Sequence, residues 1–136
     1  MTATYIAPWR IDIMTRDTVT DAHRDRRPIA TAPLARAIAA ALGAAGAPAP
    51  ASVGLILSDD AELASLNETH LGHEGPTDVL SFPLLPPEAF PPHDGDPNRG
   101  REPRAGDAAL FAGPPGRRIH LGDVVVSVER AREQAE

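Results

Sequence analysis

The chain has 136 residues, enough for one domain that buries about two-thirds of its unfolded surface. Fifteen prolines and eleven glycines restrict how much of it can fold, and with no cysteine there is neither a disulfide framework nor a thiolate metal site. The net charge is −6 and all thirteen basic residues are Arg, so any contact with a polyanion needs a local basic surface and not the overall field. No apolar run approaches the roughly 20 residues that span a bilayer, and the start of the chain has no charged n-region with an apolar h-region. A soluble cytoplasmic protein without a membrane partner is expected.

Trp9, Ile11 and Ile13 alternate with Arg10, Asp12 and Met14, the period of a half-buried strand. Thr15 to Arg27 is dense in charge without periodicity and reads as a solvated loop. Thr31 can cap a helix, Pro33 is tolerated in its first turn, and Leu34, Ile38 and Leu42 recur at four-residue spacing. Gly43, Gly46, Pro48 and Pro50 break that pattern. Val53 to Leu57 is a short apolar run, as expected of a strand buried on both faces. Asp59 and Glu62 have the spacing of a capping box, Leu63 and Leu66 supply the buried side of a second helix, and Asn67 to Gly75 ends it.

Thr77 to Phe82 follows as a strand, opened by Pro76 and closed by Pro83. Pro83 to Arg118 holds nine prolines interleaved with Asp, Gly and Arg, and is expected to be a long insertion without regular elements. Leu121 to Val128 is the strongest strand, with Val124, Val126 and Val128 on one face and Asp123, Val125 and Ser127 on the other. Helix formers begin at Glu129, and no cap, Gly or Pro stops them before Glu136. The expectation is a domain truncated within a helix.

Two constellations could carry chemistry. Asp78-Val79-Leu80-Ser81 and Asp123-Val124-Val125-Val126-Ser127 echo one another. If the two strands are neighbours, two carboxylates and two hydroxyls could line one edge of a cleft suited to acid–base or substrate-binding work; equally, both Asp residues could simply close turns. His70 and His73 are the only close histidine pair, but Gly72 and Gly75-Pro76 favour a loop over the helix face a metal site needs. His120 reads as an exposed residue at a strand entry. No Gly-rich phosphate loop or nucleophile elbow occurs, and aromatics at 4% provide no stacking platform for bases.

Leu66-Asn67, Gly72, Pro76-Thr77-Asp78-Val79-Leu80-Ser81-Phe82-Pro83, then Leu121-Gly122-Asp123-Val124-Val125-Val126-Ser127 and Gln134-Ala135, in that order, closely resemble the YbeY endoribonucleases. The resemblance covers most of residues 9 to 136 outside the Pro-rich segment. It implies an α+β fold: a small mixed β-sheet packed with helices, and a long Pro-rich insertion (83–118) between the last two strands of one domain, incomplete at its C-terminus. It also implies a zinc-dependent, single-strand-specific endoribonuclease in ribosomal RNA maturation and ribosome quality control, in which metal-activated water attacks a phosphodiester. The implied partners are ribosomal RNA and the small ribosomal subunit or its proteins. The family carries zinc on a later helix, in a motif of the form H-G-x-L-H-L-x-G-x-D-H that this chain does not contain, so no catalytic or metal residue is expected before Glu136. Thr77, Asp78, Ser81, Asp123 and Ser127 are the expected substrate-cleft residues. Where the family commonly has an aromatic residue and an Arg after the Leu-Asn pair, this chain has His70 and Leu71, and Leu cannot make the bidentate phosphate contact of Arg. Two other readings stay open: a non-catalytic ribosome- or RNA-binding module, with Arg99, Arg101, Arg104, Arg117 and Arg118 as candidate contacts, and a zinc-dependent peptide hydrolase.

Overall fold

Alternation in the Trp9 segment drives one row of side chains inward. In the computed structural model, which describes residues 1–22, 24, 27–89 and 118–136, β2 spans Trp9–Thr15 and buries Trp9, Ile11 and Ile13. An antiparallel partner, β1 (Thr2–Ile6), precedes it at the sheet edge. The sequence reading does not include β1, because an edge strand exposed on most of its length shows no apolar alternation.

The loop expected over Thr15 to Arg27 instead contains a short helix, α1 (Asp17–Ala22). Val19 is its one buried residue, and a single anchor leaves no period to read. The next helix, α2 (Thr31–Ala45), runs through Gly43 and stops only at Gly46, whose φ of 63° lies in the left-handed region. There the N–H groups of Gly46 and Ala47 return to the carbonyls of Gly43 and Leu42. Thr31 does not cap this helix; Ala30 occupies the cap position and makes no side-chain bond. Ala35 and Ala39 are its buried residues, flanked by half-buried Leu34, Ile38 and Leu42. The small residues let the helix approach β1 and β2 closely.

β3 (Ala51–Ser58) is central and lies parallel to both neighbours. Asp59 caps α3 (Asp60–Leu71), accepting from the Glu62 N–H at 2.9 Å. Glu62 does not complete the reciprocal arm of a capping box; its carboxylate is held by Ser58 and Arg16. The helix continues past Asn67 to a left-handed Gly72 (φ 68°), so His70 is helical and His73 lies beyond the cap.

Strand β4 (Val79–Pro83) begins after Thr77 and Asp78 and includes Pro83, which an edge strand tolerates. β5 (Ile119–Ser127) starts earlier than expected, and a register shift opposite Ser52/Val53 interrupts its pairing with β3. Val128 belongs to the final helix, α4 (Val128–Ala135), not to the strand. Of the Pro-rich segment, residues 90–117 lie outside the described ones. Its two ends are ordered into the fold: Pro87–Ala89 form a 3-10 turn, and Arg118 donates to the carbonyls of Pro8 and Ala51.

The sheet order is β1-β2-β3-β5-β4, parallel at its centre and antiparallel at both edges, which makes the fold α+β with a mixed sheet. One core cluster joins Ile11, Ile13, Val53, Leu55 and Leu57 to α2; a smaller one joins Leu80 and Val125 to Leu63 of α3. Among the described residues no helix is long and apolar enough to cross a membrane.

Candidate functional site at the β4–β5 edge

The strands that carry the expected cleft residues are neighbours, and their pairing is antiparallel: Val79 faces Val126, Ser81 faces Val124, and Phe82 faces Asp123. Residues at the same point of two antiparallel strands lie at opposite ends of the pair. The echo in sequence therefore separates Asp78 from Asp123 in space. Four residue steps along β5 separate Asp123 from Ser127, where Asp78 meets the strand, roughly 13 Å. Ser81 lies with Val124 on the α2 side of the sheet, whereas Asp123 and Ser127 share the α3 side with Val125. Ser81 and Asp123 nonetheless both line one groove at the Gly122 end of the strand pair, while Thr77, Asp78 and Ser127 lie at the other end.

Three of them do come together. Thr77 and Asp78 sit beside the end of β5, where the Ser127 N–H donates to the Asp78 carbonyl at 2.9 Å. The Asp78 carboxylate accepts from the Gln134 amide at 3.2 Å. That bond, followed by backbone N–H groups and the Thr77 hydroxyl, outweighs desolvation and holds the carboxyl below its ordinary pKa. Ser127 is fully buried: its hydroxyl donates to Asp60 Oδ1 at 2.6 Å and accepts from the Arg130 N–H at 3.3 Å as the cap of α4. The Arg130 guanidinium also reaches both Asp60 oxygens at 3.3 Å. The site is thus a hinge of charged and hydroxyl groups that fixes where α4 leaves the sheet.

A second network lies next to it at the end of β3. Arg16 grips the Glu62 carboxylate with two nitrogens at 3.0 and 3.1 Å, and Ser58, also fully buried, donates to the same group. Burial favours the neutral acid at Glu62, but the bonds from Ser58 and Arg16 and the Arg16 charge together outweigh it, so its pKa is lowered. Asp59 is lowered chiefly by the Glu62 N–H it caps.

Asp123 belongs to a third group. Its carboxylate lies 3.1 Å from His120 Nε2, and His120 Nδ1 lies 2.8 Å from Ser52 Oγ. Because a carboxylate only accepts, Nε2 carries the proton and, in the neutral ring, Nδ1 accepts from Ser52. Hydroxyl, imidazole and carboxylate are thus linked in the order of a nucleophilic triad. Of the three, Asp123 also lines a groove of about 180 Å³ at this end of β5, with Leu42, Val53, Ser81, Phe82 and Val124. We read the chain of bonds as a tie between β3 and β5, fitted by Gly54, where any Cβ would overlap the Asp123 carboxylate.

Zinc, which the resemblance implies, finds no home in these groups. Among the described residues no three His, Asp or Glu side chains gather as metal ligands. His70 instead packs edge-on against Phe82, with centroids 5.3 Å apart. No step through a metal is derived from this chain.

The family model for the endoribonuclease YbeY matches residues 19–136. The chain belongs to the YbeY endoribonuclease family. It is similar to the endoribonuclease YbeY of Moorella thermoacetica, 37% identical over 102 residues that cover 75% of this chain and 54% of the relative. It is also similar to that of Bradyrhizobium diazoefficiens, 34% identical over 112 residues (82% and 50%), and to that of a Synechococcus species, 42% identical over 85 residues (62% and 38%). The chain thus spans about half the length, or less, of these curated relatives.

Sequence reasoning missed Ser58, Asp60, Arg16, Arg130 and Ser52. The bonds that join Arg16 to Glu62, Ser52 to His120 and Asp60 to Ser127 and Arg130 span 46 to 70 residues. The bond from Ser58 to Glu62 had a local signal, a Ser one turn ahead of a Glu at a helix start.

Proposed function

We propose that this chain supplies the sheet and the substrate-side wall of an endoribonuclease that cleaves single-stranded ribosomal RNA in the cytoplasm, during ribosomal RNA maturation and ribosome quality control. The observation that carries this reading is the family match across residues 19–136, which includes both strands of the β4–β5 edge. In this reading Thr77 and Asp78 position RNA beside the start of α4, which buried Ser127 holds in place, while Ser81 and Asp123 shape the groove at the other end of the strand pair. The hydrolytic water, activated by zinc near neutral pH, belongs to the part of the relatives' length that this chain does not span. The small ribosomal subunit or its proteins are the expected partners.

A single purified preparation tests this. The 136-residue chain is incubated with ribosomal RNA with and without added zinc, its bound metal is measured, and its co-sedimentation with small subunits is followed. Association with RNA or subunits, without stoichiometric zinc and without cleavage, is the expected result. Cleavage by a zinc-loaded 136-residue chain would overturn the division of labour. Absence of any association would overturn the RNA assignment.

A further inference from the structure

Away from the β4–β5 edge, a cavity of about 290 Å³ opens where β2 ends, bordered by α1, by Arg27, Pro28 and Ile29, and by Arg132 of α4. Its apolar side is Val19, Pro28 and Ile29; its polar side carries Arg24, Arg27 and Arg132. Among the described residues no carboxylate lines it. In a chain of net charge −6, three guanidinium groups line this one cavity, of which Arg132 has a further interaction within the fold. Arg24 is partly offset by Asp21 at 2.9 Å, a pair exposed enough to be weak. Arg27 is exposed and has no hydrogen bond or ion pair among the described residues.

The size is at the small end of ligand sites, which run from roughly 300 to 1,000 Å³. An apolar floor with guanidinium groups at the rim matches one nucleotide: a base or ribose edge on Val19, Pro28 and Ile29, and a phosphate bridged by Arg27 and Arg24. Guanidinium suits this because its planar fork makes two parallel bonds to phosphate oxygens. No aromatic side chain is among the residues that line the cavity, so charge and a small apolar surface would have to hold the strand.

We infer that this cavity is a nucleotide-binding subsite that grips a phosphate of single-stranded RNA through Arg27, with Arg24 and Arg132 beside it. The inference rests on the RNA reading above and gives that reading a second, positively charged contact outside the β4–β5 edge.

The test titrates a labelled short oligouridylate with the full 136-residue chain across a salt series, comparing wild type with Arg27→Ala, Arg27→Glu and, as a control outside the cavity, Arg36→Ala. Arg27 and Arg36 are both exposed, and urea midpoints check that all variants fold. Arg27→Ala should weaken binding roughly three- to tenfold at low salt and reduce the slope of log affinity against log salt by about 0.7, one phosphate contact on a single strand. Arg27→Glu should weaken it further, and Arg36→Ala should match wild type. Equal binding by wild type and Arg27→Ala, or an equal loss in Arg36→Ala, overturns the subsite and leaves the RNA reading standing. If wild type binds no oligonucleotide but uridine monophosphate shifts the Val19 and Ile29 methyl resonances, the subsite stands and the RNA reading falls. If neither ligand binds, both fall.

Discussion

Ser127→Ala removes one oxygen from the point where β5, α3, α4 and the Asp78 turn meet. That oxygen caps α4 through the Arg130 N–H and donates to the Asp60 carboxylate at 2.6 Å, in a position with no solvent exposure. Loss of a Ser cap costs about 1 kcal/mol. Loss of a hydrogen bond to a charged group costs about 1.5 kcal/mol, less what Asp60 recovers because Arg130 still holds both its oxygens and its side chain is 29% exposed. Together the change should destabilise the fold by roughly 2 kcal/mol. With a urea m-value of about 2 kcal/mol per molar, the unfolding midpoint falls by about 1 M with the slope unchanged. A double-mutant cycle with Asp60→Asn isolates the pair, and a coupling of about 1 kcal/mol is expected. A midpoint shift under about 0.25 M, or additive effects of the two changes, would refute the claim that this hydroxyl ties α4 to the sheet.

Gly122 has a φ of 142°, and a Cβ there would run into the carbonyl of Phe82 and the backbone of Pro83 across the strand pair. Gly122→Ala should therefore cost roughly 2–3 kcal/mol, read as a drop in thermal midpoint, whereas Gly43→Ala, where a Cβ meets nothing, should be neutral or stabilising. Glu62 has a lowered pKa in the folded chain, so its bonds to Ser58 and Arg16 contribute stability that is fully present above the unfolded carboxyl pKa and is lost as pH falls through the folded one. Glu62→Gln should accordingly reduce stability at neutral pH and flatten the acid limb of a stability–pH curve below about pH 4.5, measured by urea unfolding at each pH.

Local pattern went far with this chain. The alternation of Trp9, Ile11 and Ile13, the apolar run from Val53 to Leu57 and the Val-rich strand before α4 all report on one strand's own burial, and each is where the pattern puts it. The Asp59 cap is likewise a local bond, closed within three residues. Signals failed where the cause is distant. β1 forms because β2 offers it a ladder, α1 because a single valine finds the core, and Gly43 stays helical because the better left-handed stop is Gly46.

The β4–β5 edge shows the same division. Sequence alone determined that Asp78, Ser81, Asp123 and Ser127 sit on or beside two strands, since each strand's alternation is a property of its own residues. Strand direction is not written in either segment, and only the tertiary structure made the pair antiparallel. That pairing joined Asp78 to Ser127 and Gln134 at one end and left Asp123 at the other, bonded to His120 of its own strand, which in turn meets Ser52 of β3. It follows from a physical fact: a residue's face is set by its neighbours along the chain, and its company by backbone pairing across long loops.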